Sequence, residues 1–252
     1  MIDAVGEACV AVKLQLACFE RLGAPGWAAV AGVAEHARDA GLLVVADGKR
    51  GDVPVTAAAY AQALVGATPT EFGEVRGLGA DAFTANPLLG ADALAPLVEA
   101  ARGAGAGVFV LVRTSNPGAA DLQDLPTAAG AAPAPLWERI AALVAAIGDA
   151  DADAAGLSDV GAVVGATAPE HLPRMRELMP RAIFLVPGVG AQGGRVEDLA
   201  AAFAPHPAAA LVAVSRGIVH AHERAGGEPA QAARDEAQRL RESVWDIAGA
   251  RV

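Results

Sequence analysis

Short apolar runs alternate with longer Ala/Leu/Glu-rich stretches along the whole chain. Seven runs have strand length: residues 10–15, 42–49, 80–86, 108–115, 162–167, 183–188 and 210–215. Each is continuously apolar rather than alternating, the pattern of a parallel strand covered on both faces. Helical patterns lie at 27–40, 56–65, 91–103, 136–147, 169–179, 196–203 and 230–247. Strict βαβα order predicts a parallel sheet with right-handed crossovers. The Pro/Ala-rich segment 128–137 reads as a linker into a helix and not as a domain boundary, because the alternation continues beyond it. The length of 252 residues suits one (β/α)8 TIM barrel. Such a barrel has eight strands, and the pattern supplies seven. Residues 1–9 read as the end of a helix that would follow a first strand. The expectation is therefore a single TIM-barrel domain over residues 1–252, N-terminally truncated and lacking its first strand.

Composition sharpens this picture. Hydrophobic residues make up 54% of the chain and aromatics only 4%. Helix–sheet packing must then rely on Ala, Val and Leu, and alanine also favours helix. The net charge of −10 argues against nucleic acid or an anionic membrane as a partner. It leaves room for an anionic small molecule, since a pocket can be locally basic. Two cysteines, Cys9 and Cys18, make no disulfide framework and fit a reduced, cytoplasmic setting. No apolar run long enough for a membrane span, no secretory signal and no clustered metal spacing occurs, so neither a metal nor a cofactor is expected.

In a βα-barrel the chemistry sits at strand C-termini, so polar residues there carry information. Lys13 interrupts the first apolar run, where a buried lysine is costly unless paired. The second run ends in Asp47-Gly48-Lys49-Arg50-Gly51-Asp52. Asp47 and Lys49 are two apart and share one face of a strand. Lys13, Asp47, Lys49 and Asp52 thus give two cations and two anions, which tolerate burial together but not singly. A purely structural salt-bridge network is the alternative reading of the same residues. Further on, the glycine-rich loop Pro187-Gly188-Val189-Gly190-Ala191-Gln192-Gly193-Gly194 lets backbone N–H groups approach an anion. Ser215-Arg216-Gly217 ends the last run, and arginine offers phosphate a planar fork. The loops after the last two strands are a common phosphate position in these barrels. Thr114-Ser115-Asn116-Pro117-Gly118 ends another run, with groups suited to a polar ring edge or to capping a turn.

Taken together these residues resemble the orotidine 5'-phosphate decarboxylase family. The match is to its DxKxxD motif, and it is most similar to a bacterial subgroup carrying DAKRGD, TSNPG and PGVGAQGG segments. Here they stand, in order, as ADGKRGD, RTSNPGAADLQ and LVPGVGAQGG, with VKLQ upstream. The resemblance implies cofactor-independent decarboxylation of orotidine 5'-phosphate to UMP. It implies Lys13, Asp47, Lys49 and Asp52 as the catalytic network, with Lys49 the proton donor. It implies a homodimer in which Asp52, Val53 and Thr56 complete the neighbouring site. Ser115 would meet the pyrimidine, and Pro187, Gly188, Gln192, Gly193 and Arg216 would form the phosphate grip. Two departures stand out. The family's first strand, with its ribose-binding aspartate, has no counterpart, and Leu88 replaces a common tyrosine. Two other readings stay open: a magnesium-dependent sugar-phosphate enzyme of the same superfamily, and an inactive barrel with a structural role.

Overall fold

The computed structural model describes residues 1–128, 133–148 and 156–249. Part of the 128–137 linker lies outside the described residues. Among the described residues, seven parallel strands follow one another in chain order in the main sheet. They are β1 (Ala11–Gln15), β2 (Leu43–Arg50), β3 (Ala82–Ala85), β4 (Gly107–Arg113), β5 (Ser158–Val164), β6 (Ala182–Pro187) and β7 (Ala210–Ala213). Between them run α1 (Ala24–Asp39), α2 (Pro54–Leu64), α3 (Ala91–Gly103), α4 (Leu136–Gly148), α5 (Leu172–Leu178) and, last, α6 (Pro229–Ala248). This is the α/β architecture of the TIM-barrel class, with seven strands, as the alternation predicts.

The chain divides into two compact units. The first comprises essentially residues 9–110. Its strands are apolar because both faces are covered: Val44, Ala46, Phe83 and Ala85 are fully buried. The helices meet them through small residues, with Ala34, Ala37, Ala57 and Ala61 also fully buried. Alanine at these positions lets helix and sheet approach closely. Large side chains fill the spaces left, among them Leu16, Val30, Leu64, Leu94 and Leu97. An antiparallel hairpin, Ala67–Thr70 with Gly73–Arg76, follows α2. The sequence pattern does not reveal it, because its residues are exposed and carry no apolar alternation.

The second unit holds Leu111–Val252 with the segment Asp3–Ala8. Its core centres on Phe184, Leu172, Met175, Met179 and Leu199. Residues 1–9, expected as a helix end, form a short helix Ile2–Val5 and a 3-10 turn Gly6–Ala8. α6 fixes them: Arg234 donates to the Ala4 carbonyl at 3.1 Å and Arg241 to that of Glu7 at 2.7 Å. The fifth strand runs Ser158–Val164, earlier than 162–167, because polar Ser158 is buried and bonded to the Gly148 carbonyl and so belongs to the strand. The segment Val196–Phe203 is a 3-10 helix, in which its apolar side still packs inward through Val196, Leu199, Ala202 and Phe203.

Candidate active site

In the first unit, β1 and β2 pair in parallel with Lys13 opposite Val45 and Gln15 opposite Asp47. That register brings the Lys13 ammonium to the Asp47 carboxylate, Nζ to Oδ2 at 2.5 Å. Lys49 Nζ reaches the other oxygen, Oδ1, also at 2.5 Å. Asp47 is thus a buried carboxylate held between two ammoniums. Burial alone would raise its pKa. The charges and hydrogen bonds of Lys13 and Lys49 outweigh burial and hold it below the ordinary 3.8. Asp47 is therefore ionised at neutral pH, and Lys49 is the more exposed of its two lysine partners.

β2 is irregular at this point. Ala46 is opposite Phe83 and Arg50 is opposite Ala85, so Asp47, Gly48 and Lys49 bulge against the single residue Thr84. Bulges of this kind re-aim side chains beside functional sites. Lys49 takes a left-handed backbone, φ 50°, which is uncommon away from glycine. Thr84 is buried and was not singled out by the sequence. Its hydroxyl accepts from the Lys49 N–H at 2.8 Å and donates to Asp47 Oδ1 at 3.0 Å. A lone threonine within AFTAN carries no spacing signal that would have found it.

Asp52 does not join this cluster. Its Oδ1 accepts from the Val53 N–H at 2.7 Å, and it makes no ion pair among the described residues. Val53 and Thr56 lie exposed at the start of α2. Arg50 turns to the other side of β2, pairs with Glu20 and lies 5.3 Å from the Tyr60 ring centroid. Gly48 leaves room for it: a Cβ there would stand 2.9 Å from Leu16 Cδ1 and 3.0 Å from Arg50 Nε.

In the second unit, β6 and β7 pair with Pro187 opposite Ala213. The two strands therefore deliver Gly188 and Ser215-Arg216 side by side. The loop after β6 folds back on itself, with Gly194 N–H donating to the Gly188 carbonyl and Gly193 N–H to that of Gly190. Gln192 Oε1 accepts from Ser115 Oγ at 2.6 Å, and Thr167 Oγ1 donates to the Ser115 carbonyl at 2.9 Å. Gly188 is required here: its φ is 108°, and a Cβ would stand 3.0 Å from Ser115 Cβ. Arg216 opens the short helix Arg216–Val219, exposed, and its guanidinium has no partner among the described residues. The second unit thus offers a hydroxyl, an amide, a folded glycine loop and a free guanidinium, which together suit a polar, anionic ligand.

A parallel α/β fold of the TIM-barrel class with a buried carboxylate held between two ammoniums at a strand end is that of a small-molecule enzyme. The chain belongs to the Orotidine 5'-phosphate decarboxylase / HUMPS family, whose model matches residues 1–235. It is 46% identical to an orotidine 5'-phosphate decarboxylase of Rhodopirellula baltica, over 89% of this chain and 72% of that protein. It is 43% identical to that of Deinococcus radiodurans, over 97% of this chain and 82% of that protein. Among solved structures, the OMP decarboxylase of Leishmania donovani matches with a TM-score of 0.76 at 34% identity, covering 98% of this chain and 85% of that one.

Proposed function

We propose that the chain is an orotidine 5'-phosphate decarboxylase, forming UMP in pyrimidine biosynthesis without a cofactor. The observation that carries the reading is Asp47, buried between the ammoniums of Lys13 and Lys49 at the end of a barrel strand. Loss of CO₂ from C6 of the pyrimidine leaves a carbanion in the ring plane, with no conjugated carbonyl to take its electrons. A fixed cation beside that charge lowers the barrier, since it needs no reorganisation as the charge forms. Lys49 fills this role and delivers the proton to C6. Asp47 faces the departing carboxylate and disfavours the bound substrate relative to the carbanion. Lys13 holds Asp47 and touches the ribose.

Ser115 exchanges its bond to Gln192 for one to the pyrimidine edge. Gln192, Gly193 and Arg216 take the phosphate, with Pro187 and Gly188 shaping the loop. Binding energy from this non-reacting group orders the reacting one. Asp52, just before α2, and the exposed Val53 and Thr56 at its start complete the site of a second copy in a homodimer. No described helix is long and apolar enough to cross a membrane, and a cytoplasmic setting fits a biosynthetic enzyme. The test is the UV absorbance loss of orotidine 5'-phosphate with purified protein and with Lys49→Ala. The variant should be slower by at least about 10³-fold, the scale of one acid–base or charge-stabilising group. Equal rates would overturn the role of Lys49.

A further inference from the structure

We infer that Thr84 is a positioning residue of the decarboxylation site: its buried hydroxyl ties the Lys49 N–H to the Asp47 carboxylate and so fixes where the Lys49 ammonium points. The inference rests on the reading that Asp47 and Lys49 perform the chemistry. Three observations carry it. The bulge sets Asp47, Gly48 and Lys49 opposite Thr84 alone, so the Lys49 N–H has left the regular ladder and is bonded by a side chain instead. Lys49 holds a left-handed backbone, φ 50°, which for a residue with a Cβ persists only where its surroundings over-determine it. The same hydroxyl then donates to Asp47 Oδ1, the oxygen that also receives Lys49 Nζ. One hydroxyl, on a residue only 1% exposed, therefore sets both ends of the lysine, its backbone directly and its ammonium through the carboxylate.

An ordinary buried threonine would also satisfy its hydroxyl, but through any nearby carbonyl. Here both partners belong to the reacting pair. The charged groups facing Asp47 are Lys13 from β1 and Lys49 from β2, while β3 presents only the neutral Thr84. Removing the hydroxyl takes one of three hydrogen-bond donors from the carboxylate and leaves the Lys49 N–H unbonded, with no change in nearby charge.

The test compares wild type, Thr84→Val, Thr84→Ala, Thr84→Ser and Lys49→Ala in orotidine 5'-phosphate decarboxylation, with pH profiles and thermal melting. Thr84→Val should lower kcat at least tenfold with KM within about threefold, because the effect falls on a transition-state contact. It should also move the acidic limb of kcat/KM to higher pH, since Asp47 loses a bond that favours its charged form. Thr84→Ser should restore both, and Thr84→Ala should behave as Thr84→Val does, replacing it if that variant does not fold. Near-normal kcat and an unmoved acidic limb in the hydroxyl-free variants, with Lys49→Ala inactive, would overturn the inference alone. So would a Thr84→Ser as impaired as Thr84→Val. A fully active Lys49→Ala would overturn the underlying reading instead.

Discussion

Lys49 and Asp47 lie two apart in sequence, and a regular strand would place them on one face. The structure does bring them together, but through the bulge and the left-handed turn at Lys49 rather than through a regular strand. Spacing therefore pointed to the right pair by a simpler geometry than the one used. The third member, Lys13, was legible as a cation out of place in an apolar run; its partner follows only from strand register. A pH test belongs at this scale. Asp47 is held below 3.8, chiefly by Lys13 and Lys49 against the effect of burial. Its charged form thus contributes stability, and on the proposed mechanism activity, that is complete above its ordinary value and lost as pH falls through its lower folded value. Lys13→Met removes the largest stabilising charge and leaves burial less opposed. The acidic limb of kcat/KM should then move to higher pH, as read from initial rates across a pH series. An unmoved limb would separate Lys13 from the ionisation of Asp47.

The elements were legible where periodicity is strong and less so where tertiary bonds decide. α3 occupies the predicted residues, because its apolar stripe is read locally. The helix 169–179 instead divides into a 3-10 turn, Pro169–His171, and α5. The C-terminal end of α5 is secured by a residue no pattern marks. Arg176 is 7% exposed and has no carboxylate partner among the described residues. Its guanidinium donates to the carbonyls of Met179, Ala182, Ala202 and Ala209 and lies 3.7 Å from the Phe184 ring centroid. It thereby ties α5 to β6 and to the 3-10 segments Val196–Phe203 and Pro207–Ala209 that precede β7. Burial lowers its pKa to about 10, which leaves it charged at neutral pH. Arg176→Met keeps the apolar stem but strands four carbonyls. At about 1–3 kcal/mol for an unsatisfied buried group, with part of that recovered by no longer burying a charge, the loss should be about 3 kcal/mol. For a chain of this length that corresponds to a melting temperature lower by roughly 10 °C, measurable by circular dichroism. A change within about 1 °C would show that water or a shifted chain replaces the guanidinium.

At the scale of the whole molecule, the seven-strand alternation and the ordered motifs point by themselves to an α/β barrel of one enzyme family. Asp52 is different. Its place in the motif suggested membership of the charged cluster, yet within one chain it accepts from the Val53 N–H and forms no ion pair with either lysine among the described residues. The dimer reading makes a direct prediction. Lys49→Ala and Asp52→Ala, each inactive alone, should regain about a quarter of wild-type activity when unfolded together and refolded as a mixture. Half the dimers would then be mixed, and each would hold one intact site under two-fold symmetry. No recovery beyond the sum of the two would remove Asp52 from the partner's site. The sequence alone determined the strand–helix alternation and the identities of Asp47, Lys49 and the glycine loop, because periodicity and close spacing are local properties of the chain. Only the tertiary structure decided that Lys13 and Thr84, more than thirty residues away on either side, are the groups that meet Asp47. That choice depends on how neighbouring strands register and where one of them bulges, and no window of sequence contains both strands' side chains at once.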